Sequence, residues 1–176
     1  MNIFPLAGRA RVFGDDVNTD YIISPTRKKE TIDPLQLREF LFEQLDPGFA
    51  SSVRPGDILV AGSNFGCGSA MEVAVTTVLG AGFKAVIARS FSRTYLRNAM
   101  NNGLLPVIAD TRKIVEGDAL RLISDASGGM TLYVGDRCAL PCAPLPPFMR
   151  AMIASGGLIP YLREHGSFSA ANVRQI

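Results

Sequence analysis

Tryptophan is absent, histidine occurs once (His165), and cysteine occurs three times (Cys67, Cys138 and Cys142). That leaves little from which to build a metal site. Cys138 and Cys142 sit close together in CALPCAPLPP, but a zinc centre needs two further ligands at suitable spacing, and the sequence offers none. An odd cysteine count also argues against a disulfide framework and for a reducing, cytoplasmic setting. Charge of one sign is scarce too. The net charge of +2 is too small to make nucleic acid or an anionic membrane the main partner. No apolar run reaches the roughly 18 residues of a membrane span. The opening MNIFPLAGRARVFGDD has no basic stretch followed by an apolar core, so no secretory signal is expected. No internal repeat is found.

What is present is the composition of a folded domain: 176 residues, 47% hydrophobic and 19% charged. ARVFGDDVNTDYIISP reads as a strand, a turn at Gly14-Asp15-Asp16, and a second strand at YIIS. TRKKETIDP is a polar loop with three successive cations, Arg27, Lys28 and Lys29. In DPLQLREFLFEQLDPGF, Leu35, Leu37, Phe40, Leu41 and Leu45 fall near one helical face, and Asp33-Pro34 is a start signal. The middle is the most regular part. DILVAG, KAVIA and LLPVI are short apolar strands. Between them lie a helix with Met71, Ala74, Val75, Val78 and Leu79 on one face, and a helix over SFSRTYLRNAMNNG with Ser90 as its N-cap. Strand–helix–strand–helix–strand implies a parallel sheet. ALRLIS-DASGG-MTLYV then reads as an antiparallel hairpin, CALPCAPLPP as a linker, and PFMRAMIASGGLIPYLREHG as a helix with a short closing segment.

The stretch GSNFGCGSAME carries the chemistry. It follows a strand and opens a helix, where α/β sheets bind ligands. Gly66 and Gly68 permit positive φ and close backbone approach, and the helix start favours a carboxylate or phosphate. The plainer reading makes the glycines a tight turn and nothing more. A dinucleotide site needs G-x-G-x-x-G, and position 71 is Met. Arg89, where the following strand ends, would suit a 2′-phosphate, but the motif is broken.

FGDDVNTDYIISP, GDILVAGSNFGCGS, AVIARSFSRTYLRNAMNNGLLPV and GGLIPYLREHG together resemble the small subunit of 3-isopropylmalate dehydratase, the swivelling-domain partner of the aconitase superfamily. The resemblance treats positions 1–176 as a single domain with a core of about 8–165. It implies an α/β fold, a swivelling β/β/α domain in three layers. It also implies a separate large subunit carrying a [4Fe–4S] cluster, with no cofactor or metal on this chain. The implied reaction is the removal and addition of water on a small hydroxy-dicarboxylic acid held between the subunits. A carbon acid beside a carboxylate is weak, so such chemistry needs strong electrostatic help.

The family's turn reads Gly-Ser-Ser-Arg-Glu. Here it is Gly68-Ser69-Ala70-Met71-Glu72, so one serine and the carboxylate-clamping arginine are missing. Asp20 in NTD matches a family active-site aspartate and Ser69 the first serine. With Cys67 as a replacement base, these form the catalytic set. Gly66, Gly68, Ser69, Arg27, Lys28 and Arg93 form the substrate-binding set, with Arg93 as a replacement cation. Tyr95 is a second candidate base. In the plainer readings Cys67 and Tyr95 pack in the core, and Arg93 and the 27–29 run are solvated. The 27–29 loop matches the segment that sets specificity, and its charge suits an extra carboxylate or polar substituent. Three functions stay open: an active hydro-lyase subunit with altered substrate, a non-catalytic or regulatory paralogue that pairs with a large subunit or with itself, or a stand-alone anion or nucleotide binder.

Overall fold

The computed structural model describes residues 3–125 and 128–166. Four strands run parallel: β1 (Leu6–Val12), β2 (Ile58–Ala61), β3 (Ala85–Ala88) and β4 (Leu105–Ile108). Three more form an antiparallel meander, β5 (Ala119–Ser124), β6 (Met130–Val134) and β7 (Cys138–Cys142), joined to the other side of β1. The order is β4-β3-β2-β1-β5-β6-β7. The sheet's two outer edges then meet, because Ala109 bridges Cys142 and the Ala143 N–H donates to the Ile108 carbonyl at 2.8 Å.

That closure makes the layers. Every residue of β2 and β3 is buried, because both faces of the parallel half are covered. Ile58, Val60, Ile87 and Val107 share one core with Leu120, Leu122, Leu132 and Val134 of the meander. Leu59, Ala61, Val86 and Ala88 face a second core, built with Ala74, Val75 and Val78. Helix, parallel sheet and antiparallel sheet therefore stack as the resemblance implied.

The helices are α1 (Thr19–Ile22), α2 (Arg27–Glu30), α3 (Pro34–Leu37), α4 (Phe49–Ser52), α5 (Glu72–Gly80), α6 (Arg93–Asn101), α7 (Pro147–Ala154) and α8 (Leu158–His165). Several differ from the sequence reading. YIIS is not a strand. Asn18 caps the single turn α1 by accepting the Asp20 N–H, and Ile22 and Ile23 are both fully buried. The polar loop at 27–30 is a helical turn. The helix expected over 33–46 ends after one turn and a 3₁₀ turn. Leu41 and Phe42 are both fully buried, but the chain has left the helical path there. Phe42 takes φ +59° and stacks on Phe13 at 4.2 Å instead. Ser92, not Ser90, caps α6. The expected linker is β7, an edge strand that tolerates Pro141. The closing segment is the helix α8. The hairpin β5–β6 forms as read, although positions 126 and 127 of its turn lie outside the described residues.

A buried ion network ties β1 to the start of β2. Asp57, 5% exposed, accepts from Arg9 at 2.7 Å, from the Arg54 N–H at 3.0 Å and from Arg11 at 3.3 Å. Burial opposes ionisation of Asp57, but those hydrogen bonds outweigh it and hold its carboxyl below the ordinary 3.8. Replacing Asp57→Asn leaves buried Arg11 short of a partner and should cost about 3 kcal/mol in urea unfolding at neutral pH. A carboxyl held low contributes fully above its unfolded value and loses that contribution as acid protonates it. The gap between wild type and variant should therefore narrow as pH falls below 3.8. A gap that is constant from neutral to acid pH would contradict this assignment.

Candidate active site at the carboxyl ends of the parallel strands

The chain leaving β2 is stitched down on both flanks. On one side the Gly66 N–H donates to the Val17 carbonyl at 2.8 Å, the Thr19 N–H to the Cys67 carbonyl at 2.8 Å, and the Thr19 hydroxyl to the Ser69 carbonyl at 3.0 Å. On the other, the Phe65 N–H donates to the Ser90 carbonyl at 3.0 Å, and the Ser92 hydroxyl to the Gly66 carbonyl at 2.6 Å. Two glycines make the path possible. Gly66 has φ +74°, and a Cβ there would overlap the Tyr95 ring; Gly68 has φ +95°, and a Cβ there would overlap the Asn18 amide. The plain reading, that they only make a tight turn, is true of their backbone but leaves out what the turn presents.

It presents bare donors. Among the described residues nothing accepts a hydrogen bond from the N–H of Gly68, Ser69 or Ala70, and all three residues are exposed. They lead into α5, a nine-residue helix whose N-cap, Met71, offers no side-chain acceptor. Three free N–H groups ahead of a positive helix end make this turn, the cradle, a candidate site for an anion.

Asp20 stands beside this cradle, with its Oδ1 3.3 Å from Lys28 Nζ. Lys28 Nζ also touches the Met71 sulfur. The structure therefore brings Asp20, Lys28, Gly66, Cys67, Gly68 and Ser69 together. Arg27 is committed elsewhere: its guanidinium grips Glu43 at 3.1 Å and lies 3.8 Å over the Phe40 ring. Arg93 is exposed on the first turn of α6 and makes no ion pair among the described residues.

The two candidate bases fit poorly. Cys67 is half-buried, and burial, with the Asp16 charge, pushes its thiol up, so it stays protonated at neutral pH. Tyr95 is 2% exposed and wedged between Phe65 and Phe91. Burial pushes its phenol well above the ordinary value, and its hydroxyl has no partner among the described residues. The hydroxyl that the turn does offer is Ser69.

Asn18, Thr19 and Ser92 were not picked out from sequence, although all three hold the turn. Their signal was there as capping chemistry: Asn18 before α1 and Ser92 before α6. Arg89 is paired with Asp15, whose carboxyl is held low by the Ser63 N–H and by that arginine. Its charge is thus shared with Asp15, and the broken glycine motif gives a 2′-phosphate no further support. No group of three or more His, Cys, Asp or Glu among the described residues is arranged to hold a metal ion. No helix among them is long and apolar enough to cross a membrane.

Comparison with known proteins decides the family. Residues 29–112 match the aconitase C-terminal domain. The chain is 45% identical over 159 residues to the 3-isopropylmalate dehydratase small subunit of Desulfovibrio desulfuricans, covering 89% of this chain and 94% of the relative. The chain belongs to the 3-isopropylmalate dehydratase small-subunit family. It is also 41% identical to the methanogen homoaconitase small subunit of Methanocaldococcus jannaschii, covering 90% and 92% of the two chains. The crystal structure of a 3-isopropylmalate dehydratase from that organism superimposes with a TM-score of 0.85 at 39% identity, over 93% of this chain and 96% of the other. The family's names thus span two substrates on one scaffold.

In this family member the turn should not tolerate a side chain at position 66. Gly66→Ala meets both the Tyr95 ring and an unfavourable φ, and should cost at least about 2 kcal/mol in urea unfolding. Gly82→Ala has the same kind of φ but open space, and should cost less. Equal costs at the two positions would contradict the packing account.

Proposed function

We propose that the chain is an active small subunit of a hydro-lyase that dehydrates and rehydrates a small hydroxy-dicarboxylic acid, working with a separate large subunit. The observation that carries this reading is the cradle itself: three unpartnered N–H groups on an exposed turn, with the Ser69 hydroxyl among them and Asp20 beside it. The [4Fe–4S] cluster expected of the large subunit finds no ligand group among the described residues here. In this reading the large subunit carries it, and this chain supplies the groups below.

Dehydration breaks a C–H bond next to one carboxylate and a C–O bond on the neighbouring carbon. Water leaves and a C=C bond forms. As the proton departs, negative charge moves onto the carboxylate oxygens. The N–H groups of Gly68, Ser69 and Ala70, fixed in advance, meet that charge without reorganising. In this reading the Ser69 hydroxyl accepts the C–H proton and passes one on to the departing hydroxide, so that the two leave as water and Ser69 ends as a hydroxyl. Asp20 holds Lys28 at the rim. Between reactions these groups sit in water; a large subunit closing over the turn would exclude it and strengthen each interaction.

The test is turnover of the anaerobically assembled complex on isopropylmalate, citrate, homocitrate, citramalate and dimethylmalate, followed by alkene absorbance. Turnover of at least one acid is expected. Ser69→Ala should lower kcat by about 10²–10⁴-fold with the complex intact, the range of a lost general base. Cys67→Ala should leave kcat nearly unchanged. The reverse pattern would move the base to Cys67. No turnover on any acid, with complex and cluster intact, would favour the non-catalytic paralogue that Ala70 and Met71 suggest.

A further inference from the structure

Five cations lie in the segments around the turn: Arg27, Lys28, Lys29, Arg89 and Arg93. Lys29 is exposed and makes no ion pair among the described residues. Arg27 is held by Glu43 and Phe40, and Arg89 by Asp15. Arg93 stands exposed at the start of α6. Lys28 is the one whose charged end touches the turn, through the sulfur of Met71, the residue that caps α5.

The local structure explains how it gets there. Arg27 and Lys28 are neighbours in the single turn α2. The Arg27 N–H donates to Ser24 Oγ at 3.4 Å, and Ser24 Oγ in turn donates to Glu43 at 3.3 Å, the same carboxylate that Arg27's guanidinium grips. That pin fixes α2. Adjacent side chains on a helical turn diverge, so fixing Arg27 on Glu43 sends Lys28 to another side, toward Asp20 and Met71. The Lys28 side chain is 24% exposed and that of Asp20 37%. Such a half-exposed pair opens at small cost. An ammonium has three donors; Asp20 takes one, and a thioether is a weak acceptor. Lys28 thus retains donor capacity beside the free N–H groups of the turn.

We propose that Lys28 is the carboxylate-binding cation of this site: it delivers from the 24–31 loop the charge that position 71 does not carry, with Asp20 as its resting partner. The proposal rests on the hydro-lyase reading above and deepens it. Met71 is then a fitted neighbour rather than a lost residue. Its uncharged side chain leaves room for the ammonium, and an arginine at 71 would set two cations against each other.

The experiment uses the complex of this chain with its large subunit and compares wild type with Lys28→Met, Lys28→Arg, Met71→Arg and the double variant Lys28→Met/Met71→Arg. Two quantities are read: KM and kcat on whichever of the five acids turns over, and the Kd of succinate, a plain dicarboxylate probe, by calorimetry. Thermal melting checks that each variant is folded. Lys28→Met should raise KM and the succinate Kd about 10–100-fold, the worth of a charge-assisted hydrogen bond. Lys28→Arg, which keeps the charge, should stay within a few-fold of wild type. Met71→Arg alone should weaken binding, and the double variant should bind more tightly than Lys28→Met. An unchanged Kd in folded Lys28→Met, or a double variant no better than Lys28→Met, overturns the proposal. If the wild-type complex turns over none of the acids but binds succinate through Lys28, the hydro-lyase reading fails and this inference stands. If wild type binds no succinate, the inference fails.

Discussion

At Gly66 the backbone lies against the face of Tyr95 with no space for a side chain, and at Gly68 it lies against the Asn18 amide. These two close approaches set the rest of the site. Both glycines also take left-handed φ, and the chain turns between β2 and α5. The sharp turn lets the segment before α1 and the segment before α6 bond it from both sides. With its carbonyls engaged that way, the turn faces outward with the N–H groups of Gly68, Ser69 and Ala70. The path of the turn thus follows core packing, and a Ser and an Arg side chain at 70 and 71 are not needed to form it.

That separation explains why the scaffold survives with an altered rim. The aromatic layer of Phe65, Phe91 and Tyr95 under the turn contains no catalytic group. The charges on the rim are distributed locally: Arg89 to Asp15, Arg27 to Glu43, Lys28 to Asp20. The cationic run at 27–29 is therefore not a free positive patch. Two of its three charges have carboxylate partners, and only one of those two reaches the turn.

The regular middle of the chain was legible in the sequence. β2, β3 and β4 are short apolar runs punctuated by glycine, and α5 carries its buried residues at helical spacing. The turn and its ligand-binding place followed from that order. The segment from 19 to 46 departs from its local pattern because tertiary burial overrides it there: Ile22, Ile23, Leu41 and Phe42 are all fully buried, and Phe42 takes a left-handed φ that no periodicity signals. β7 was misread because its prolines suggest a linker, whereas the closing edge of a sheet accepts them. Of the candidate site residues, the glycines stand out from their spacing, whereas Asp20, Ser69, Cys67, Arg27, Lys28 and Arg93 are named through the family resemblance or as replacements for its missing side chains. The separate fates of Arg27 and Lys28 were not legible, since adjacent cations look alike until Glu43 and Asp20 are placed in space.

The central claim is that bare backbone at 68–70 holds the substrate's carboxylate. Its most direct measurement is millisecond hydrogen exchange of amides 66–72 in the assembled complex, with and without a bound dicarboxylate. The account predicts that exchange at Gly68, Ser69 and Ala70 slows sharply when the dicarboxylate binds, because those N–H groups have no other acceptor among the described residues. Binding that leaves these three amides exchanging as fast as before would contradict it.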